Sequence, residues 1–350
     1  MITVADPQPV LVPLTSSAIF LTLTIDPGGE ETVRDVLADL AGLSRSVGFR
    51  VPAATLSAVV GIGSDAWDRL FDGRRPADLR PFRELTGSKH HAPSTPADLL
   101  FHLRGGQMDV CFELAGQLMD RLDGAATVVD EVHGFRFFEV RDLMGFVDGT
   151  ENPTGNAAAA AVLITDQDPD FAGGTYVHVQ KYLHDLASWN AISVHEQERV
   201  VGRTKLSNIE LADEVKPSNA HTALTVITDP DGTERQILRD NMPFGRVGSA
   251  EFGTYFIGYS ADPAVTELML RRMFLGFPVG NHDRILDFST ALTGALFFVP
   301  SADFLDDLPP LPGAAASVEA LPVPEDPPPL NTPTTADGSP GIGSLRRITP

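Results

Sequence analysis

Strand-like and helix-like patterns follow one another along this chain in an order that repeats, and the repeat restricts the fold more than any other feature. Residues 18–25 alternate apolar side chains with threonine, as a half-buried strand does, and residues 30–47 then carry Val33, Val36, Leu37 and Leu40 at helical spacing. Further along, the patterns predict strands over 55–62 and 99–103, a helix over 108–122, and one or two strand pieces over 127–140. This order, β-α-β and again β-α-β, is that of a ferredoxin-like split unit. It then recurs. A strand is expected over 174–182, a helix over 184–201, and a hairpin from 221–228 and 235–239 around Asp229-Pro230-Asp231-Gly232. A strand over 252–259, a helix over 263–274 and a closing strand over 295–299 complete the second set. The expected fold class is therefore α+β, with two ferredoxin-like domains at residues 1–141 and 142–300.

A chain of 350 residues has room for about two such domains, each with its own core. Its formal net charge of -21 argues against nucleic acid as a partner, because phosphate-backbone binders need a basic footprint, and against an anionic membrane surface for the same reason. The N-terminus shows no basic region leading into an apolar core, and no apolar run approaches the ~18 residues of a spanning helix, so a cytoplasmic location is expected. Cys111, the one cysteine, lies among Val110, Phe112 and Leu114 and reads as a small buried hydrophobe. Beyond Pro300 the composition turns to Pro, Ala, Asp and Ser without a period, which reads as a disordered tail over 301–350.

Three segments carry chemistry. Gly145-Phe146-Val147-Asp148-Gly149-Thr150-Glu151-Asn152-Pro153 sets two carboxylates among glycines, which permit close approach of backbone to a flat ligand. On its own spacing the segment reads first as an ordinary Asp-Gly, Asn-Pro turn. Ser218-Asn219-Ala220-His221-Thr222 and Leu238-Arg239-Asp240-Asn241-Met242-Pro243-Phe244-Gly245 follow, each beside a strand-like stretch. Arg239 and Asn241 are two apart, so a strand continuing through them would turn both to one face.

Taken together and in this order, the three segments resemble the dye-decolourising peroxidases, a family of haem enzymes, and more closely its bacterial branch packaged inside encapsulin shells. The resemblance runs from about Ala18 to Pro300 and reappears at the C-terminus. It implies two ferredoxin-like domains of the dimeric α+β barrel type, with haem b held mainly by the second. His221 would be the axial ligand of the iron; residue type alone would not prefer it over His90, His91 or His282. Its ring would need an acceptor, for which Asp283 is favoured over Asp287. Asp148, Arg239 and Asn241 would form the catalytic set: Asp148 as acid–base group, Arg239 stabilising charge as the peroxide bond breaks. Arg203, with Lys205 as a weaker choice, and Arg239 would meet the haem propionates, and Gly149 would let the backbone approach the ring.

The resemblance further implies hydrogen peroxide as oxidant and a reducing substrate drawn from bulky dyes, phenolic or lignin-like compounds. Mn(II) would suit Glu151, Glu210 and Glu234, as a cation that prefers carboxylate oxygens. A homo-oligomer is expected, loaded into an encapsulin shell through residues 337–347, where Ile342 and Leu345 would be the anchors and Pro340 stands where an apolar residue is usual. Two other readings stay open at this point: a haem protein of related fold with chlorite-dismutase-like or haem-processing chemistry, and a non-enzymatic cargo protein.

Overall fold

A computed structural model describes residues 5–313, which form one compact unit built on a ten-stranded antiparallel sheet. Its strands are β1 (Ser17–Ile25), β2 (Ser57–Gly63), β3 (Leu99–Gly105), β4 (Ala126–Phe135), β5 (Thr175–His184), β6 (Leu238–Arg239), β7 (Met242–Arg246), β8 (Glu251–Ser260), β9 (Ser289–Ala291) and β10 (Ala295–Val299). The first four lie in the order β4-β1-β3-β2, the ferredoxin-like arrangement. The second set repeats it as β10-β5-β8-β6, with β7 continuing the ladder along β8 and β9 pairing with β5. The two sets join through β10 and β2 into one sheet. Its far edges then approach each other, because Gly134 on β4 lies against Met242 on β7, where any Cβ would overlap that side chain.

The helices are α1 (Glu30–Gly48), α2 (Ser64–Leu70), α3 (Met108–Arg121), α4 (Gly155–Val162), α5 (Leu186–Ala191), α6 (Val194–Val201), α7 (His221–Thr225), α8 (Pro263–Leu275) and α9 (Ala302–Asp306). Strand alternation divides the apolar side chains between two cores. Ala18 and Phe20 of β1 point inward with Leu100, Val177, Ile257 and Phe297, while Ile19, Leu21 and Leu23 point outward beneath the helices. The α1 helix supplies Val33, Val36, Leu37, Leu40, Leu43 and Val47 to that outer core, and Glu30 and Glu31 sit in its first turn, where the helix dipole favours anions. Cys111 is fully buried there, and burial pushes its thiol up to about 12, so it is inert at neutral pH. No helix among the described residues is long and apolar enough to cross a membrane.

Four expectations need correction. The stretch 184–201 is not one helix: β5 runs through His184, and α5 and α6 follow with a break between them. Two short polar side chains cause it, since Asp185 accepts from the Ser188 N–H (2.9 Å) and Ser193 from the Glu196 N–H (3.2 Å), each starting a new helix. His221 does not begin a strand but opens α7, where the Thr225 hydroxyl donates to the His221 carbonyl (2.8 Å). The β-branched residues Thr222, Thr225, Val226, Ile227 and Thr228 imitated a strand there. The hairpin is shorter than expected, with only Ile227–Thr228 pairing Glu234–Arg235. Finally, β4 ends at Phe135, because Phe138 (φ 45°) and Val140 (φ 61°) turn the chain out of extended conformation. The tail segment 337–347 lies outside the described residues.

Candidate active site

A cavity of about 610 Å³ is lined by residues of the second half alone. Met144, Phe146, Ile237, Phe256, Leu270 and Met273 give it apolar walls. Nine of the residues singled out from the sequence line it: Asp148, Gly149, Glu151, Arg203, Glu210, His221, Glu234, Arg239 and Asn241.

His221 stands at the N-terminus of α7, and its Nδ1 is 2.7 Å from Oδ2 of Asp283, a residue with no exposed surface. The other Asp283 oxygen accepts from the Ile285 N–H (2.9 Å), so the carboxylate is fixed by a cap as well as by the ring. That arrangement makes Nδ1 the protonated nitrogen and leaves the Nε2 lone pair as a donor. Nε2 has no hydrogen-bond partner among the described residues. Asp287, the other acidic residue of this segment, is turned away to Lys89, His90 and His282. His184 also lines the cavity, but both its nitrogens are engaged, by Ser289 Oγ (2.8 Å) and Thr254 Oγ1 (2.9 Å). Burial lowers its pKa to about 4 and keeps it neutral.

A second group is held by strand register. Leu238 pairs with Tyr259, Arg239 with Gly258 and Met242 with Tyr255, so the ladder on β8 keeps step through 240 and 241. The Asp240 N–H donates to the Ile257 carbonyl (3.1 Å), and the side-chain oxygen of Asn241 accepts from the Ile257 N–H (3.0 Å). Asn241 thereby offers its amide N–H to Asp148 Oδ2 at 2.9 Å. Asp148 Oδ1 accepts from the Gly149 N–H (2.7 Å), and Gly149 has φ 74°, a turn conformation that favours glycine. Both carboxylate oxygens are thus fixed by donors. Asn152 clamps Arg239 by its backbone, donating to the carbonyl (2.6 Å) and accepting from the N–H (3.0 Å), which leaves the guanidinium free to reach the cavity.

Arg203 is less free than the sequence suggested. It donates to Glu151 (2.8 Å) and to the Asn208 side chain (3.0 Å), with Glu210 at 3.7 Å. Glu151 and Glu210 therefore meet at a guanidinium, and Glu210 also accepts from Lys216 (2.7 Å). Glu234 lines the same cavity, but the three glutamates do not bring ligand atoms within 4.8 Å of one another. Lys205 does not line the cavity; its ammonium donates to Gln197 (2.6 Å) and lies over Phe146 and Trp189.

Two contributors escaped the sequence reading. Asp142 lines the cavity near Asp148, and desolvation pushes its carboxyl up to about 7, with the Asp148 charge adding to the effect. Asp240, between Arg239 and Asn241, is paired inside the barrel with Arg104 of β3, both almost wholly buried. Arg104 also donates to the Pro9 carbonyl (2.5 Å). The signal was present: Leu100, His102 and Arg104 share one face of β3, and a charge on the inner face of a strand buried throughout needs a partner.

Two ferredoxin-like units share one sheet, and a histidine–aspartate couple and a carboxylate–amide couple face one cavity. Residues 7–136 match the N-terminal and residues 139–304 the C-terminal family model of the Dyp-type peroxidases, and the chain belongs to that family. It is 65% identical to a dye-decolorizing peroxidase of Rhodococcus erythropolis over 98% of both chains. Among solved structures it resembles the encapsulated DyP-type peroxidase from Mycobacterium smegmatis, with a TM-score of 0.87 and 68% identity, covering 88% of this chain and 100% of that one. It is also similar to variants of DypB from Rhodococcus jostii RHA1, one solved in complex with heme (TM-score 0.84, 59% identity, 86% and 97% covered). A DypB variant in complex with manganese is similar as well (TM-score 0.85, 59% identity, 86% and 98% covered). An enzymatic family sets aside the reading as a non-enzymatic cargo protein.

Proposed function

We propose that this cavity binds haem b on His221 and that Asp148, Asn241 and Arg239 carry out the reaction with hydrogen peroxide. The observation that carries the reading is the His221–Asp283 couple: a wholly buried carboxylate 2.7 Å from Nδ1 directs the Nε2 lone pair of a cavity-lining histidine outward. The apolar walls suit a flat macrocycle, and Arg203 and Arg239 are cations on the same cavity for its carboxylates. Bound haem supplies the redox-active iron. Asp148, held at both oxygens, accepts a proton from one oxygen of hydrogen peroxide and returns it to the other, a role usually worth ~10² to 10⁴-fold in rate. Arg239 stabilises the charge that grows on the departing oxygen. Asn241 keeps Asp148 aimed through the 2.9 Å hydrogen bond. The His221→Ala variant should lose most haem or show a displaced Soret band, whereas Asp148→Ala and Arg239→Leu should keep the band and react more slowly with peroxide. A Soret band and activity unchanged in His221→Ala would refute the ligand assignment.

Dyes and phenolic compounds are the substrates we infer, with Mn(II) at Glu151, Glu210 and Glu234 as a further reductant. Because Arg203 lies between two of those carboxylates, cation binding there needs the guanidinium to move away. Loss of Mn(II) oxidation in Glu151→Ala, with dye oxidation kept, is the expected result. We also propose that the halves divide at residues 141 and 142, that the protein is a homo-oligomer, and that it is cargo of an encapsulin shell in the cytoplasm, loaded through residues 337–347. Truncation after Thr335 should leave peroxidase activity intact and abolish co-purification with co-expressed shells.

A further inference from the structure

On the side of the His221–Asp283 couple remote from the cavity, three basic side chains converge on one carboxylate oxygen. Asp287 Oδ1 is 3.0 Å from His90 Nε2 and 3.1 Å from His282 Nε2, and it also accepts from the Lys89 ammonium. The two imidazole rings lie 4.8 Å apart by centroid. Asp287 Oδ2 has no partner among the described residues, so all three donors crowd the same atom. Lys89 and His90 belong to the turn between the paired segments Leu85–Thr86 and His91–Ala92, while His282 precedes and Asp287 ends the 3-10 turn Arg284–Asp287 that Asp283 caps.

Hydrogen bonding alone is a poor account of this geometry. Both imidazoles must present Nε2–H to one oxygen already taken by an ammonium, which sets three donors on an atom with two lone pairs. We propose instead that His90, His282 and Asp287 form a binding site for a divalent transition-metal ion of the zinc type. The donor set is one such an ion takes: two imidazole nitrogens and one carboxylate oxygen, with a position left for water. The spacing agrees. With bonds of about 2.0–2.2 Å, ligand atoms of a tetrahedral zinc lie about 3.3–3.6 Å from each other. The two N···O separations are already 3.0 and 3.1 Å, and all three ligand atoms lie within 4.8 Å of one another. Only the Lys89 side chain, half exposed, has to swing into solvent. His90 and His282 are mostly shielded, with 15% and 20% of their side chains exposed.

The bound ion would tie the 85–92 hairpin of the first half to the turn that positions Asp283 in the second. It is independent of haem binding, since neither His221 nor the cavity contributes a ligand. The test uses full-length, haem-loaded protein stripped with EDTA and dialysed against Zn(II) at micromolar free concentration, with bound zinc measured by atomic absorption. We expect about one zinc per chain, and affinity at least about tenfold weaker in His90→Gln and in His282→Gln. Glutamine keeps a hydrogen-bonding group in each place, and an unchanged Soret band and melting temperature in EDTA will show that the variants are folded. Zinc should raise the melting temperature of the wild type alone. Absence of saturable zinc binding in the wild type, or equal affinity in all three proteins, overturns the proposal and leaves an ordinary hydrogen-bonded anchor.

Discussion

The two halves of the barrel follow one strand order but cover it differently. In the first half, β1 is followed by α1, a single amphipathic helix of 19 residues that seals the outer core. At the equivalent place in the second half, after β5, the chain forms α5, α6 and α7, of 6, 8 and 5 residues, joined by irregular segments. The first arrangement packs β1 on both faces; the second leaves the cavity. Arg203, Glu210 and His221 all come from that broken stretch, as functional residues often come from segments freed of packing duties. The same topology thus yields a packed scaffold and a binding site, according to whether one crossover helix is continuous.

The sharpest way to break this division of roles is to cut the polar link between the halves. Arg104 of the scaffold half is paired inside the barrel with Asp240, the residue between Arg239 and Asn241. Arg104→Met should lower stability by about 3–5 kcal/mol in chemical denaturation, because it leaves a buried carboxylate uncompensated. Arg104→Met combined with Asp240→Leu should recover much of that loss. If the single variant is neutral, the scaffold does not hold the catalytic strand through this pair.

A smaller effect, confined to the site half, is expected at Asp283. Asp283→Asn keeps the size but weakens the acceptor behind His221, and haem affinity should fall about 10- to 100-fold, read by titration of the Soret band. Stability without haem should change much less than in Arg104→Met. An equal loss in both measurements would make Asp283 a scaffold residue rather than a support of the ligand.

The smallest effect concerns pH. Asp142 holds its proton up to about 7 in the folded protein, whereas an unfolded chain releases it near 3.8. Folded protein therefore binds more protons between those values, and this group's contribution to stability falls as pH rises through that window and is level above it. Asp142→Asn removes the group, so stability should decline less between pH 4 and 7 than in the wild type. Parallel denaturation curves for the two proteins across that range would show that the cavity does not desolvate this carboxyl.

Much of the scaffold half was legible from one-dimensional pattern. Residues 30–47 announced α1 because the same face of the helix meets the sheet along its whole length, and the largely apolar run 18–25 announced β1 because its two faces pack against two cores. The site half was legible in chemistry more than in shape. Asp148, His221, Arg239 and Asn241 stood out through their motifs, yet the pattern placed His221 on a strand and ran one helix across 184–201. Local periodicity fails there because α7 has a single buried residue, Leu224, and so has no period to display. Asp142 was overlooked because its perturbation arises mainly from burial in a cavity that other segments enclose.

The sequence by itself determined the strand and helix order, and hence the two ferredoxin-like units, together with the reactive side chains. Apolar spacing encodes which face of each element must leave water, and that information is local. The tertiary structure alone decided which carboxylate supports His221, why the fully engaged His184 is no rival to it, and that Arg104 reaches across to Asp240. It also decided that Arg203 stands between Glu151 and Glu210. Each of these is a question of distance between residues far apart in the chain, and only the closing of ten strands into one sheet sets those distances.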